Sequence, residues 1–170
     1  VCSSDLGDTL FQTILSTKDQ KQVWQLLVMF ITDRQRSFIS FAEESYRDMT
    51  AAFVKEDVKT LDRTENALVR QKDVLKSSRR KETLCLRKVN RETAIEKSAW
   101  FHLGNNCCMS ILYNLRRISE ICKEHVDNNF LPLPPRHVGD FEMVRTRVST
   151  LLNDTLTMID GEQTDVIPTL

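Results

Sequence analysis

Glycine and proline are scarce in this chain, four of each in 170 residues. Loop-rich, collagen-like and disordered chains carry far more of both. With 41% hydrophobic residues, the composition suits one compact helical domain with a sizeable core. A charge excess is missing too, since 24 Lys and Arg balance 24 Asp and Glu. Nucleic-acid binders ordinarily show a basic surplus, so no nucleic-acid partner is expected. Nor is there a long apolar run. The longest, Val23 to Ile31, contains Gln25 and is closed by Asp33 and Arg34, well short of the roughly 20 apolar residues of a membrane span. The five cysteines form no even, regularly spaced set, which argues for a reducing compartment and not a disulfide framework.

Catalytic motifs are absent as well. There is no glycine-rich phosphate loop, no nucleophile elbow and no H-E-x-x-H. A ferritin-like di-iron bundle needs Glu-x-x-His on two helices, and none of His102, His125 or His137 has a glutamate three residues before it. No enzymatic activity and no resident cofactor is therefore expected. The first six residues, VCSSDL, lack the basic start and apolar stretch of a signal peptide. They match the translation of the end of a common sequencing adapter, and the natural sequence is expected to begin near Gly7.

What the chain does contain is helical periodicity. From about Thr17 to Phe53, apolar residues such as Val23, Leu27, Phe30, Phe38, Tyr46 and Met49 recur three and four apart. Ser16, Thr17 and Asp19 offer capping oxygens. Residues 54–57 read as a polar turn whose Asp57 caps a second helix through Leu86, with Leu61, Leu68, Val74, Leu75 and Leu84 as its apolar positions. Asn90 separates a third helix, about Arg91 to Asn129. Pro132, Pro134 and Pro135 force a stop, and a fourth helix follows from about Val138 to Ile159 with Phe141, Val144, Val148, Leu151, Leu152, Leu156 and Ile159 on one side. Long helices joined by short turns alternate in direction, so the expected fold is all-α, an antiparallel bundle of about four long helices.

The third helix carries the stretch AWFHLGNNCCMSILYNLRRISEIC, residues 99–122. Trp100, Gly104, Cys107, Ile111, Leu115, Ile118, Cys122 and Val126 form one stripe at helical spacing, with Leu103, Cys108, Leu112 and Ile121 at its flank. Packing is the favoured reading, because free cysteine behaves as a small hydrophobe and Gly104 allows close helix approach. A zinc site wants a second ligand pair, which this stretch does not supply. Carboxylates four apart, Glu44 with Asp48, Glu92 with Glu96, and Glu120 with Glu124, place two oxygens on one helix face. A divalent or iron cation could use them if several helices contributed, although such pairs are also common on solvated helices.

Charge is uneven in one place only. Residues 76–91 hold Lys76, Arg79, Arg80, Lys81, Arg87, Lys88 and Arg91 against Glu82 alone. Such a run is usually a solvated helix end. The functional alternative is a surface turned toward anionic lipid headgroups or an acidic partner.

Segments 51–75 and 115–129 resemble the helical PhoU family linked to phosphate transporters. Its typical segment is L-E-R-I-G-D-H-A-x-N. With Leu115 on its leucine, Arg117 and Ile118 match the Arg and Ile and Glu120 stands for the Asp, while Arg116, Ile121 and Glu124 replace a Glu, a His and an Asn. Of the metal-binding acids only Glu120 carries over, joined by Glu44 and Asp48 at the family's E-x-x-x-D spacing. From Gly7 to Arg136 the chain resembles the cytoplasmic PhoU-like domain that follows the membrane part of bacterial PiT-type inorganic phosphate transporters. The resemblance implies a linker from an upstream membrane region at residues 7–18, a PhoU-like bundle at 19–160 and a tail at 161–170. It also implies a regulatory or assembly role at the cytoplasmic face of the inner membrane, with the transporter's own membrane domain, an anionic membrane surface or a second copy as partners. The alternative is a free-standing PhoU-like regulator of phosphate uptake, in which metal binding would matter more.

Overall fold

Capping side chains mark where the helices start. In a computed structural model that describes residues 3–165, with side chains from Leu6 to Gly161, five helices follow one another: α1 (Ser3–Ser16), α2 (Gln20–Lys55), α3 (Val58–Leu86), α4 (Arg91–Asp127) and α5 (Pro135–Asp165). The described residues are all-helical, with no strand. Asp19 caps α2 by accepting from the Lys21 amide at 3.0 Å. Asp57 caps α3 through the Thr60 amide and hydroxyl, and Asn90 caps α4 through the Thr93 amide at 2.8 Å. Glu56 ends α2 with a left-handed φ of 54°, so the reversal between α2 and α3 takes two residues. Asn129, at φ 52°, turns the chain out of α4 before the prolines, and the Phe130 amide donates back to the His125 carbonyl.

Cross-helix bonds give the directions. Arg63 lies 3.6 Å from Asp48 near the α2–α3 turn, and Glu82 meets Arg34 farther along, so α3 runs back along α2. Lys123 bonds Glu65 and Asp62, and Asn105 bonds Glu82, so α4 reverses again. Helix α5 rests on α2, with Arg145 donating to the Thr50 hydroxyl at 2.8 Å and Arg36 pairing with Asp160 at the other end. Where α2 and α4 meet, a Cβ at Gly104 would stand 2.7 Å from the side-chain nitrogen of Gln35, the movable end of a flexible side chain, so the backbones themselves do not require glycine there.

Two apolar clusters form the core. The larger joins α2, α3 and α4 through Phe38, Met49, Leu61, Leu68, Leu112 and Leu115, with Val148, Leu152, Leu156 and Ile159 of α5 packed against it. The smaller gathers Leu10 and Ile14 of α1 with Leu27, Phe30, Cys85 and Phe101.

Several expectations need correction. Residues 7–16, expected as a linker, belong to α1, which buries Leu10 and Ile14. Four long helices are present, but α1 makes a fifth, and α5 begins at Pro135 and runs past Ile159, taking residues 161–165 from the expected tail. Residues 1–2 and 166–170 lie outside the described residues. On α4 the inward line is Phe101, Asn105, Cys108, Leu112, Leu115, Ser119 and Cys122. Cys107 is exposed while Cys108 is 4% exposed, the reverse of the expected order, and Trp100, Leu103 and Ile121 are exposed as well. The reason is that α4 turns polar Asn105 and Ser119 inward, so a stripe drawn through apolar residues alone is rotated off the true one. Val74 and Leu84 on α3, and Val144 and Leu151 on α5, also face outward.

Candidate functional site

The basic run occupies the last third of α3, the turn that follows it with Arg87 and Lys88, and the first residue of α4, and the fold sorts its charges. Glu82, its one acid, is fully buried, where it pairs with Arg34 of α2 and accepts from the Asn105 amide of α4 at 3.0 Å. Burial pushes the Glu82 carboxyl above its ordinary value, with Arg34 and Asn105 pulling the other way. Two of the cations secure α1. Lys81 pairs with Asp8 and lies 5.6 Å from the centre of the Phe11 ring. Lys88 donates to the carbonyls of Ile14, Leu15 and Thr17, satisfying helix-end acceptors that would otherwise lack partners.

The others turn outward. Residues 76, 80, 83 and 87 recur at helical spacing, and Lys76, Arg79, Arg80 and Arg87 line an open groove of about 580 Å³ together with Thr83 and Leu84. All four cations are exposed, and among the described residues none forms a salt bridge. Arg91 is exposed at the start of α4. The local field is thus more positive than the sequence count suggests, because its acid is withdrawn into the core. Arg87, the C-cap of α3, also sits favourably in the helix dipole. Leu84 adds an apolar contact at the groove wall. Such a surface can hold phosphate or carboxylate oxygens by charge and by the arginine forks.

The carboxylate candidates occupy separate places. Glu44 is exposed on α2, and Asp48 faces Arg63. Glu120 borders a small crevice with Glu65, Arg116 and Ser119, while Glu124 is exposed on α4. Among the described residues, no three His, Cys, Asp or Glu side chains converge in a way that could hold a metal ion. Burial pushes the Cys85 and Cys122 thiols up to about 11 and raises Cys108.

The Arg34–Glu82–Asn105 group went unpredicted, although a signal existed. Arg34 lies between Ile31 and Phe38, Glu82 between Leu75 and Cys85, and Asn105 between Phe101 and Cys108, each at core spacing. Polar residues at inward helical positions imply partners on neighbouring helices. No helix of the described residues is long and apolar enough to cross a membrane. Compared with known proteins, the chain matches no family model, no curated protein and no solved structure at a significant level.

Proposed function

We propose that this chain is a non-catalytic helical domain with a PhoU-like bundle that acts at the cytoplasmic face of a bacterial inner membrane. Its role is to regulate or assemble a PiT-type phosphate transporter, in which ion-coupled transport belongs to the transporter's membrane part. The observation that carries this reading is the α3 groove, where Lys76, Arg79, Arg80 and Arg87 stand exposed and form no salt bridge among the described residues. The sequence resemblance to the cytoplasmic domain of such transporters supplies the context.

Each Lys or Arg close to an anionic leaflet contributes about 1 kcal/mol. Replacing Lys76 and Arg80 by Glu removes at least two such contributions, or about 2 kcal/mol, which corresponds to roughly a 30-fold loss of affinity. Both side chains are exposed, so folding is spared. The test is co-sedimentation with vesicles of phosphatidylglycerol in phosphatidylcholine, set against phosphatidylcholine alone. Binding should need the anionic lipid, weaken with salt and fall in the double variant. Equal affinity for both vesicle types, or binding indifferent to the substitutions, would refute the membrane-facing role.

A further inference from the structure

Helix α5 has two apolar lines and only one of them is covered. Phe141, Val148, Leu152, Leu156 and Ile159 turn toward α2 and the main core, with Phe141 edge-on to Phe53 at 5.7 Å between centres. A second line, Val144, Leu151 and Met158, advances in steps of seven and is 51%, 65% and 67% exposed. At about 1.5 Å per residue it runs for roughly 21 Å along one side. A step of seven keeps successive residues on one helix face, as in a two-helix seam.

Two charges accompany that line. Arg147 and Asp154 are exposed, seven residues apart, and on the same side of α5 as Leu151. Their separation of roughly 10 Å along the axis is too long for a bond within one helix, where neighbours stand three or four apart. Neither forms a salt bridge or side-chain hydrogen bond among the described residues.

We propose that this face joins two copies of the chain, their α5 helices crossing antiparallel about a two-fold axis at Leu151. The arrangement is self-complementary, as an isologous interface must be. Reversing one helix about position 151 brings Leu151 against Leu151 of the partner subunit, and Val144 level with Met158 of the partner subunit. It also brings Arg147 to within one residue, about 1.5 Å along the axis, of the level of Asp154 of the partner subunit, and the reverse, close enough for two ion pairs that flank the apolar seam. A parallel pairing would set Arg147 beside Arg147 of the partner subunit and likewise Asp154, with both contacts repulsive. Charge thus selects both the partner and its direction. A single helix pair of this length lies below the roughly 1,200 Å² of a standard interface, so the dimer depends on concentration.

The proposal is independent of the membrane-facing role of α3. Sedimentation velocity of the full chain over a concentration series should show reversible dimers at low salt. Leu151→Glu should abolish them. Arg147→Asp and Asp154→Arg should each weaken association by roughly tenfold, and the combined reversal should restore it. All three side chains are exposed, and circular dichroism would verify that each variant stays folded. A chain that is monomeric at every concentration would overturn the proposal. So would self-association that survives Leu151→Glu, or a combined reversal no better than its single components.

Discussion

Arg34→Met is the most informative single change. Arg34 is 8% exposed and Glu82 is fully buried, so both charges are largely out of water and depend on each other. Removing one partner from a buried pair costs about 3–5 kcal/mol, because the remaining charge is left without compensation. For a chain of this size, about 2–4 °C of melting temperature accompanies each kcal/mol, so a loss of roughly 6–20 °C is expected near neutral pH. Glu82→Gln should cost a comparable amount, since it leaves Arg34 charged and unpaired. The two variants part company when the pH is lowered. Burial raises the Glu82 carboxyl above its ordinary 4.5, so the folded chain holds that proton more tightly than the unfolded chain. The contribution of this group is therefore fully present below the ordinary value and declines as pH rises through the folded one. Without Arg34 the carboxyl rises further. The deficit of Arg34→Met relative to the parent should shrink between about pH 7 and about pH 5, while that of Glu82→Gln should not. Arg34→Met combined with Glu82→Leu should be near neutral, or more stable by about 1–4 kcal/mol. Chemical denaturation at both pH values measures all of this. Single variants within about 1 kcal/mol of the parent, or an Arg34→Met deficit that grows on acidification, would refute a coupled buried pair.

Thiol labelling of the native chain with a maleimide should modify Cys107 quickly and leave Cys85, Cys108 and Cys122 protected until unfolding, read by mass spectrometry of peptides; they are buried and their thiols are held protonated. In the same vein, Cys108→Ser should destabilise by about 1–3 kcal/mol, because it places a hydroxyl in an apolar site, whereas Cys107→Ser should have little effect on the denaturation midpoint. Lys88→Met removes the donor shared by three carbonyls at the end of α1, so amide exchange should accelerate in α1 while the α2–α4 core keeps its protection. Faster exchange spread evenly over all helices would show that α1 is not a separately held element.

The boundaries of α2, α3 and α4 were legible within a few residues because their signals are local: the carboxylate of Asp19, the turn at 54–57 with Asp57, the amide of Asn90, and the prolines from 132 to 135. Helix α1 is short, and what holds it is distant in sequence: Leu10 and Ile14 pack on Leu27, Phe30, Cys85 and Phe101, and Lys81 and Lys88 tie it down in roles that cannot be read from a count of charges. The face of α4 was misjudged for a related reason. A hydrophobic stripe identifies the inward side only if every inward residue is apolar, and here Asn105 and Ser119 are not. The candidate site was legible as a cluster of basic residues, but not as a surface. Its four outward cations emerge only once Glu82 is seen to turn inward and Lys81 and Lys88 are seen to hold α1. The same buried layer explains why the helices adopt one register. Arg34, Glu82 and Asn105 come from three helices and lie between the two apolar clusters in sequence on each of them. Apolar contacts tolerate sliding by a turn, but a shift of about 5 Å would separate the charges and strand them in the core. The layer therefore contributes to specificity more than to net stability. That register also carries Lys76, Arg79, Arg80 and Arg87 outward together, so the interior polar layer and the cationic surface of α3 are consequences of a single rotational setting of that helix.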